Sequence, residues 1–513
     1  YGGRSRLPHN LKQLFRSVAM SEPDNNMIAE VILYSEGFQH ADRIGRKLVE
    51  VYTMSRQLLS PQKHYDWGLR ALKTVLQHGG QLIHSEKKAG KSPDFDAEAR
   101  LIVGAMRINT LSKLTYADSV RFNALIGDVF PGLKYDEIDY KELESNIRAA
   151  IDEMKLETVV PQVRKVLQLY EALHQRMGVV IVGPSGCGKS VMLNVLHAAL
   201  KRMGQKIVRH VMNPKALERS VLLGHMDHDT REWFDGVLTA SARQVQREGA
   251  DTHSWVICDG DIDPEWIESL NSVLDDNHLL TMPNGERIKF GDNVNFIFES
   301  HDLQHASPAT VSRMGMIFLS EEDLDVRPLL TSWLRRQDAK LQSLLGAWLD
   351  SLFHRALQWV LSEGNPVVTT TKVGLVLTAL SHLRNISTKS EFVVALVRGM
   401  GSNLELDKRT AFAREVFGWA GERAPDPRAP LDCYFSRQTG ALQPFLPEAQ
   451  SRVLPAEELS SRSPPLIDTV DMQRNRALIQ PWLDNMEPFI LVGPEGCGKT
   501  LLLTHSFRKL RGA

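Results

Sequence analysis

The chain has 513 residues, room for about three domains of ordinary size, so a single small module is excluded. It is 42% hydrophobic and 24% charged, an ordinary globular balance, and its formal net charge of −1 leaves no global field to hold nucleic acid or an anionic membrane. Four cysteines with no C-x-x-C pair exclude a disulfide framework and fit a reducing, cytosolic setting. No apolar run approaches the ~18 residues a membrane span needs. The opening Tyr1-Gly2-Gly3-Arg4 carries neither Met nor a signal pattern, and reads as a cut rather than a natural terminus.

In chain order, His78-Gly79-Gly80-Gln81 is similar to part of a transporter-ATPase signature but lacks its leading serine and precedes any phosphate loop, which excludes that role. The first strong signal comes later. The apolar run Val179-Val180-Ile181-Val182 predicts a strand, and Met192, Leu193, Val195, Leu196 and Leu200 fall at helical spacing. Between them lies Gly183-Pro184-Ser185-Gly186-Cys187-Gly188-Lys189-Ser190, a phosphate loop in its required strand, loop, helix context. Its glycines let consecutive N–H groups turn toward a β-phosphate at a helix start. The lysine adds a cation for the β- and γ-phosphates, and the serine hydroxyl ligates magnesium.

A strand ending in a magnesium-holding carboxylate should follow, and Trp255-Val256-Ile257-Cys258-Asp259 fits, with Asp259 reaching the metal through water. Many such ATPases place a water-polarising Glu next; here the residue is Gly260, then Asp261, Ile262 and Asp263. Asp263-Pro264 reads as an N-cap and N1 proline, with a base as the alternative. Trp266, Ile267, Leu270, Val273 and Leu274 then mark one helical face. Leu279–Met282, the turn Pro283-Asn284-Gly285 and Arg287–Phe290 predict a hairpin. The strand Val294–Phe298 runs into Glu299, either a polar sensor of the γ-phosphate or a solvated strand end. Ser307-Pro308 opens a short helix that delivers Arg313 before the strand Met316–Leu319. That arginine is either a finger acting on a neighbouring module's nucleotide or a surface residue at a helix end.

Weaker constellations carry less. His225, Asp227, His228 and Asp229 have metal-like letters but sit in one loop with no second cluster, which favours a loop contact. Cys187, Cys258 and Cys497 read as small packing residues. Prolines crowd 425–465 and suggest a variable linker. A second phosphate loop, Gly493-Pro494-Glu495-Gly496-Cys497-Gly498-Lys499-Thr500, follows the strand-like Phe489-Ile490-Leu491-Val492 and precedes Leu501–Leu503, as in a duplicated domain pair.

Three further stretches give these motifs a family. Asn10–Met20, Ile32–Phe38 and Ser60–Lys73 closely resemble the end of the first AAA+ module of a dynein heavy chain. Asp259–Asn277 resembles the second module and Gly493 onward the opening of the third; His301-Asp302-Leu303 and Val492–Gly498 look most like the intraflagellar-transport class. The resemblance implies an α/β fold of P-loop AAA+ modules, each a parallel sheet with flanking helices plus a helical lid. It implies residues 1–134 as the C-terminal part of the first module with its lid, and 135–420 as the second module with a lid from about 321. Residues 421–465 become a linker and 466–513 the start of the third module.

The same resemblance implies ATP or ADP with Mg2+, held at 183–190 with Asp259 and Glu299, and a second loop at Gly493, Gly496, Gly498, Lys499 and Thr500. It makes Arg70 the sensor 2 of the first module's site and Arg313 the finger reaching that site in trans. The second module's nucleotide is expected to be mainly structural, in agreement with Gly260. The whole is expected to be a motor moving toward microtubule minus ends in the cytoplasm, cytoskeleton and cilium axoneme. Its expected partners are the other modules of the chain, microtubules, and intermediate and light intermediate chains, with no nucleic acid and no membrane insertion. A nucleotide-holding scaffold without turnover and a dynein-related remodelling ATPase of ribosome assembly remain as alternatives.

Overall fold

The structure, a computed structural model, describes residues 8–511 apart from 17, 22, 63–64, 89–93, 134–139, 228, 250, 276, 321–324 and 447–467. Tyr1–Arg4, His228, and most of the proline-rich stretch after 446 therefore lie outside the described residues. The chain divides into two compact units, 1–328 and 329–513.

After a short helix at His9–Leu14, the first unit continues with helices at Asn25–Ser35, Ala41–Leu58, Leu69–Lys88, Phe95–Leu111 and Tyr116–Val129. Asp24, Asp94 and Thr115 cap three of them, each accepting first-turn N–H groups that would otherwise be orphaned. Their apolar faces close one core around Leu33, Ile44, Leu76, Ile102 and Phe122. Buried Glu98 ties two of the helices together by accepting from the main-chain N–H groups of Gln39 (2.7 Å) and His40 (2.9 Å).

Helices Lys141–Glu153 and Val160–Gln175 lead into the sheet. Its strands and the flanking hairpins are β1 (Gly178–Val182), β2 (Lys206–Met212), β3 (His225–Met226), β4 (Trp233–Phe234), β5 (Thr252–Asp259), β6 (Leu279–Thr281), β7 (Arg287–Lys289), β8 (Val294–Ser300) and β9 (Gly315–Phe318). Five of them form a parallel sheet in the order β2-β5-β8-β1-β9. The central runs are apolar without alternation because both faces are covered. The period of two still sorts them. Val180, Val256, Phe296 and Met316 enter one core with the 264–274 helices, whereas Val179, Ile257, Ile297 and Ile317 enter another with helices 141–153, 160–175 and 189–202.

The expected β6–β7 hairpin is present, and Asp263 is the cap it was expected to be, accepting from Glu265 N–H at 3.0 Å. The apolar positions Trp266 to Leu274 are all buried, but across two short α turns joined by a 3-10 turn rather than one helix.

The second unit carries helices Ala339–Trp348, His354–Glu363, Lys372–His382, Lys389–Gly401 and Leu406–Ala420, then Val470–Asp484 and Lys499–Arg511. Two expectations are corrected here. The stretch expected to be linker contains an antiparallel hairpin, β10 (Cys433–Ser436) with β11 (Ala441–Pro444), which packs on helix 389–401. Phe489–Val492 forms no strand: it pairs with no neighbour among the described residues, and Ile490 and Val492 are exposed. A parallel strand exists only through its ladder, so an apolar run without a partner stays irregular. Among the described residues no helix is long and apolar enough to cross a membrane.

Candidate nucleotide site

The loop 183–190 lies at the C-terminal end of β1, the end of an open parallel sheet where ligands sit. It is built for close approach. A Cβ on Gly183 would stand 2.7 Å from both Cys187 Sγ and the Leu319 carbonyl oxygen. Gly188 holds φ +92° as the residue before helix Lys189–Arg202, and the helix has no side-chain cap on its first-turn N–H groups. Those donors are what an anion at this helix start would take. The Lys189 ammonium donates to the carbonyls of Gly183 (2.7 Å) and Pro184 (3.1 Å), which places it over the loop. The cradle and its donor set fit a phosphate chain.

Ser190 and Glu299 meet, the hydroxyl donating to Glu299 Oε2 at 2.6 Å. Glu299, next to last in β8, lies directly beside Asp259 on β5 and is 5% exposed, so it is a buried polar group of the site and not a solvated strand end. Burial, with the neighbouring Asp259 charge adding to it, pushes its carboxyl above the usual range; the Ser190 hydrogen bond and Lys189 work against that. Asp259 itself is exposed at the strand end.

Past Asp259 the chain turns away. Gly260 has φ +148°, its N–H donates to the Glu299 carbonyl (3.0 Å), and a Cβ there would lie 3.0 Å from Asn213 Oδ1. Asp261 is occupied: its carboxylate accepts from the His301 N–H (3.0 Å) and pairs with Lys215 (3.4 Å), which hold it below the usual carboxylate range. Asp263 is engaged as a cap, so both carboxylates in 260–263 already hold hydrogen-bond partners.

Arg313 follows helix Pro308–Val311 as expected, with its side chain largely covered. Its Nε donates to Asp275 (2.5 Å) and its Nη1 to the Ala309 carbonyl (3.1 Å). Exposed Arg70 reaches the same place, bonding Ser312 Oγ and, at 3.4 Å, the same Ala309 carbonyl. Asp275 and Ser312 were missed in the sequence because partners nearly 40 and over 240 positions away leave no local pattern. Of the metal-like letters, Asp227 closes a turn by accepting from Asp229 and Thr230 N–H groups, and His225 stacks on Phe234. Among the described residues no group of three such side chains is placed to hold a metal ion.

The second loop repeats the first in the other unit. Lys499 donates to the Gly493 and Pro494 carbonyls at 2.8 Å each, Gly498 holds φ +83°, and a Cβ on Gly493 would stand 2.8 Å from Cys497 Sγ. Thr500 lies in the first turn of helix Lys499–Arg511.

A five-stranded parallel sheet with a phosphate loop after its inner β1, a carboxylate at the end of β5 and a polar residue at the end of β8 defines an AAA+ nucleotide-binding module. Residues 178–314 match the model of the AAA domain of the dynein-related subfamily, 1–190 that of the hydrolytic ATP binding site of the dynein motor region, and 325–420 that of the cytoplasmic dynein 2 heavy chain 1 AAA+ ATPase domain. The chain belongs to the dynein heavy chain family. It is 55% identical over all 513 residues to cytoplasmic dynein 2 heavy chain 1 of Rattus norvegicus and 47% identical over 520 residues to that of Chlamydomonas reinhardtii, in each case covering 100% of this chain. To a cytoplasmic dynein heavy chain of Paramecium tetraurelia it is 32% identical, over 99% of its length. It spans 12% to 13% of the length of these relatives.

Proposed function

We propose that residues 183–190 bind ATP or ADP in a module that holds its nucleotide with little turnover, within a dynein-type motor. Lys189 supplies the phosphate cation, and Glu299 offers a polar contact at the γ-phosphate end of the cleft. Magnesium, when bound, neutralises phosphate charge, with the Ser190 hydroxyl and, through water, Asp259 as its holders. The loop 493–500 has the same donor geometry for a second nucleotide.

One observation carries the low turnover: where a water-orienting carboxylate would follow Asp259, Gly260 presents no side chain, and Asp261 and Asp263 are engaged elsewhere. A positioned acid or base contributes about 10² to 10⁴-fold, so a module that would turn over at ~1 s⁻¹ should fall to roughly 10⁻² s⁻¹ or below. Single-turnover hydrolysis of ATP by the purified chain tests this. A rate near ~1 s⁻¹ that vanishes in Asp261→Asn would overturn it. The binding claim is checked separately by calorimetry on Lys189→Ala, where unchanged ATP affinity would count against the site.

Arg313 and Arg70, converging on the Ala309 carbonyl, are assigned to a nucleotide of the preceding module, as finger and sensor 2. On this view 1–134 completes the first module, 135–420 is the second with its lid, 421–465 connects, and 466–513 begins the third. Similarity to cytoplasmic dynein 2 heavy chains supports a minus-end-directed microtubule motor of retrograde intraflagellar transport. Its partners would be the other AAA+ modules, microtubules, and intermediate and light intermediate chains, in cytoplasm, cytoskeleton and cilium.

A further inference from the structure

The second unit contains a small open cleft between helices 389–401 and 406–420, the hairpin β10–β11 and helix 470–484. Three arginines line it: Arg398, Arg409 and Arg474. Their partners do not balance their charge. Arg474 pairs with Asp432 at 2.6 Å and with Asp471. Arg398 donates to the Cys433 carbonyl (3.0 Å), and Arg409 to the carbonyls of Ser402 (2.8 Å) and Leu404 (3.0 Å), so among the described residues each of these two bonds to neutral oxygens.

Two donors are left over. The Nε atoms of Arg409 and Arg474 are buried without a hydrogen-bond partner among the described residues. A buried cation facing only neutral acceptors is costly, and an unmade charged hydrogen bond adds to that cost. Burial pushes the Arg398 guanidinium down to about 10, and burial together with the Arg474 charge holds Arg409 below its ordinary value. What the cleft lacks is negative charge with several acceptor lone pairs. Guanidinium forks match tetrahedral oxyanions better than a spherical halide, because their planar donors pair with separate oxygens.

We propose that this cleft binds one small oxyanion of the phosphate type, at a place lined by no residue of either phosphate loop.

The test uses the 513-residue chain carrying Lys189→Ala and Lys499→Ala, so that neither phosphate loop competes for the probe. Equilibrium dialysis against radiolabelled inorganic phosphate at constant ionic strength should find one ion bound per chain. Adding Arg409→Gln should weaken it by about 10- to 150-fold, the fold-change of one lost charge-assisted hydrogen bond. Arg398→Gln, on a different helix, should weaken it comparably and serves if the first variant loses its fold by near-ultraviolet circular dichroism. No bound phosphate at millimolar concentration, binding unchanged in both folded variants, or complete displacement by equimolar chloride would each overturn the assignment.

Discussion

Replacing Gly260 with alanine tests the turn that follows Asp259. At φ +148° the backbone lies where an L residue costs about 1–3 kcal/mol. The new Cβ would also press on Asn213 Oδ1 at 3.0 Å, and that oxygen caps the short helix Pro214–Ala216 through the Ala216 N–H (3.3 Å). Disturbing a cap costs about 0.5–2 kcal/mol, so Gly260→Ala should lose about 1.5–5 kcal/mol in all. For a module of this size each kcal/mol is worth roughly 2–4 °C, which puts the fall in melting temperature at roughly 3–20 °C. Scanning calorimetry is the assay, read on the transition that added ATP moves upward, since a ligand stabilises only the part that binds it. A fall of under about 1 °C would show that an L residue is at home in this turn. The absence of a carboxylate at 260 would then have no backbone cause.

Three other outcomes follow from the site. Because burial raises the folded-state carboxyl of Glu299 above its unfolded value, its contribution to stability is fullest below the unfolded value and is lost as pH rises through the folded one. Glu299→Gln should therefore gain relative to the parent as pH goes from about 4 to about 7, and parallel melting curves across that range would refute the burial argument. Arg313→Ala and Arg70→Ala should leave ATP affinity at 183–190 unchanged in calorimetry while Arg313→Ala slows a full motor by on the order of 10³; lost affinity in either would make it a residue of this site. Iodoacetamide should label exposed Cys497 first, since burial pushes the thiols of Cys187, Cys258 (about 12) and Cys433 (about 11) upward; mass spectrometry finding Cys187 labelled equally fast would contradict its packing against Gly183.

The parts legible in the sequence were those written locally. A loop of eight residues between an apolar run and a helical stripe, a cap with proline after it, and a hairpin around Asn284-Gly285 each carry their geometry in adjacent letters. Glu299 was half legible: its place at a strand end was visible, but only the β5–β8 register makes it a buried neighbour of Asp259. Proline content hid the β10–β11 hairpin, although Cys433-Tyr434-Phe435 before Thr439-Gly440 is a usable strand and turn signal. The run 489–492 misled for the opposite reason, being as apolar as β1 without a ladder to join. The meeting of Arg70 with Ser312 had no local signature at all.

The Ala309 carbonyl, shared by Arg70 and Arg313, also has a mechanical meaning. Two other bonds cross nearby: Phe318 N–H at the end of β9 donates to the Ser112 carbonyl at 3.0 Å, and Arg176 donates to Thr74. Helix Leu69–Lys88 is thus tied to the 309–312 stretch through Arg70 and to the end of helix Val160–Gln175 through Thr74, while the 111–115 turn is tied to β9 main chain to main chain. Arg70 and Arg313 therefore share one acceptor, so a shift of the helix carrying Arg70 and a shift of the 308–313 stretch bear on the same carbonyl. Ser312→Ala would remove one of the two acceptors of Arg70 while leaving both arginines and the shared Ala309 carbonyl in place.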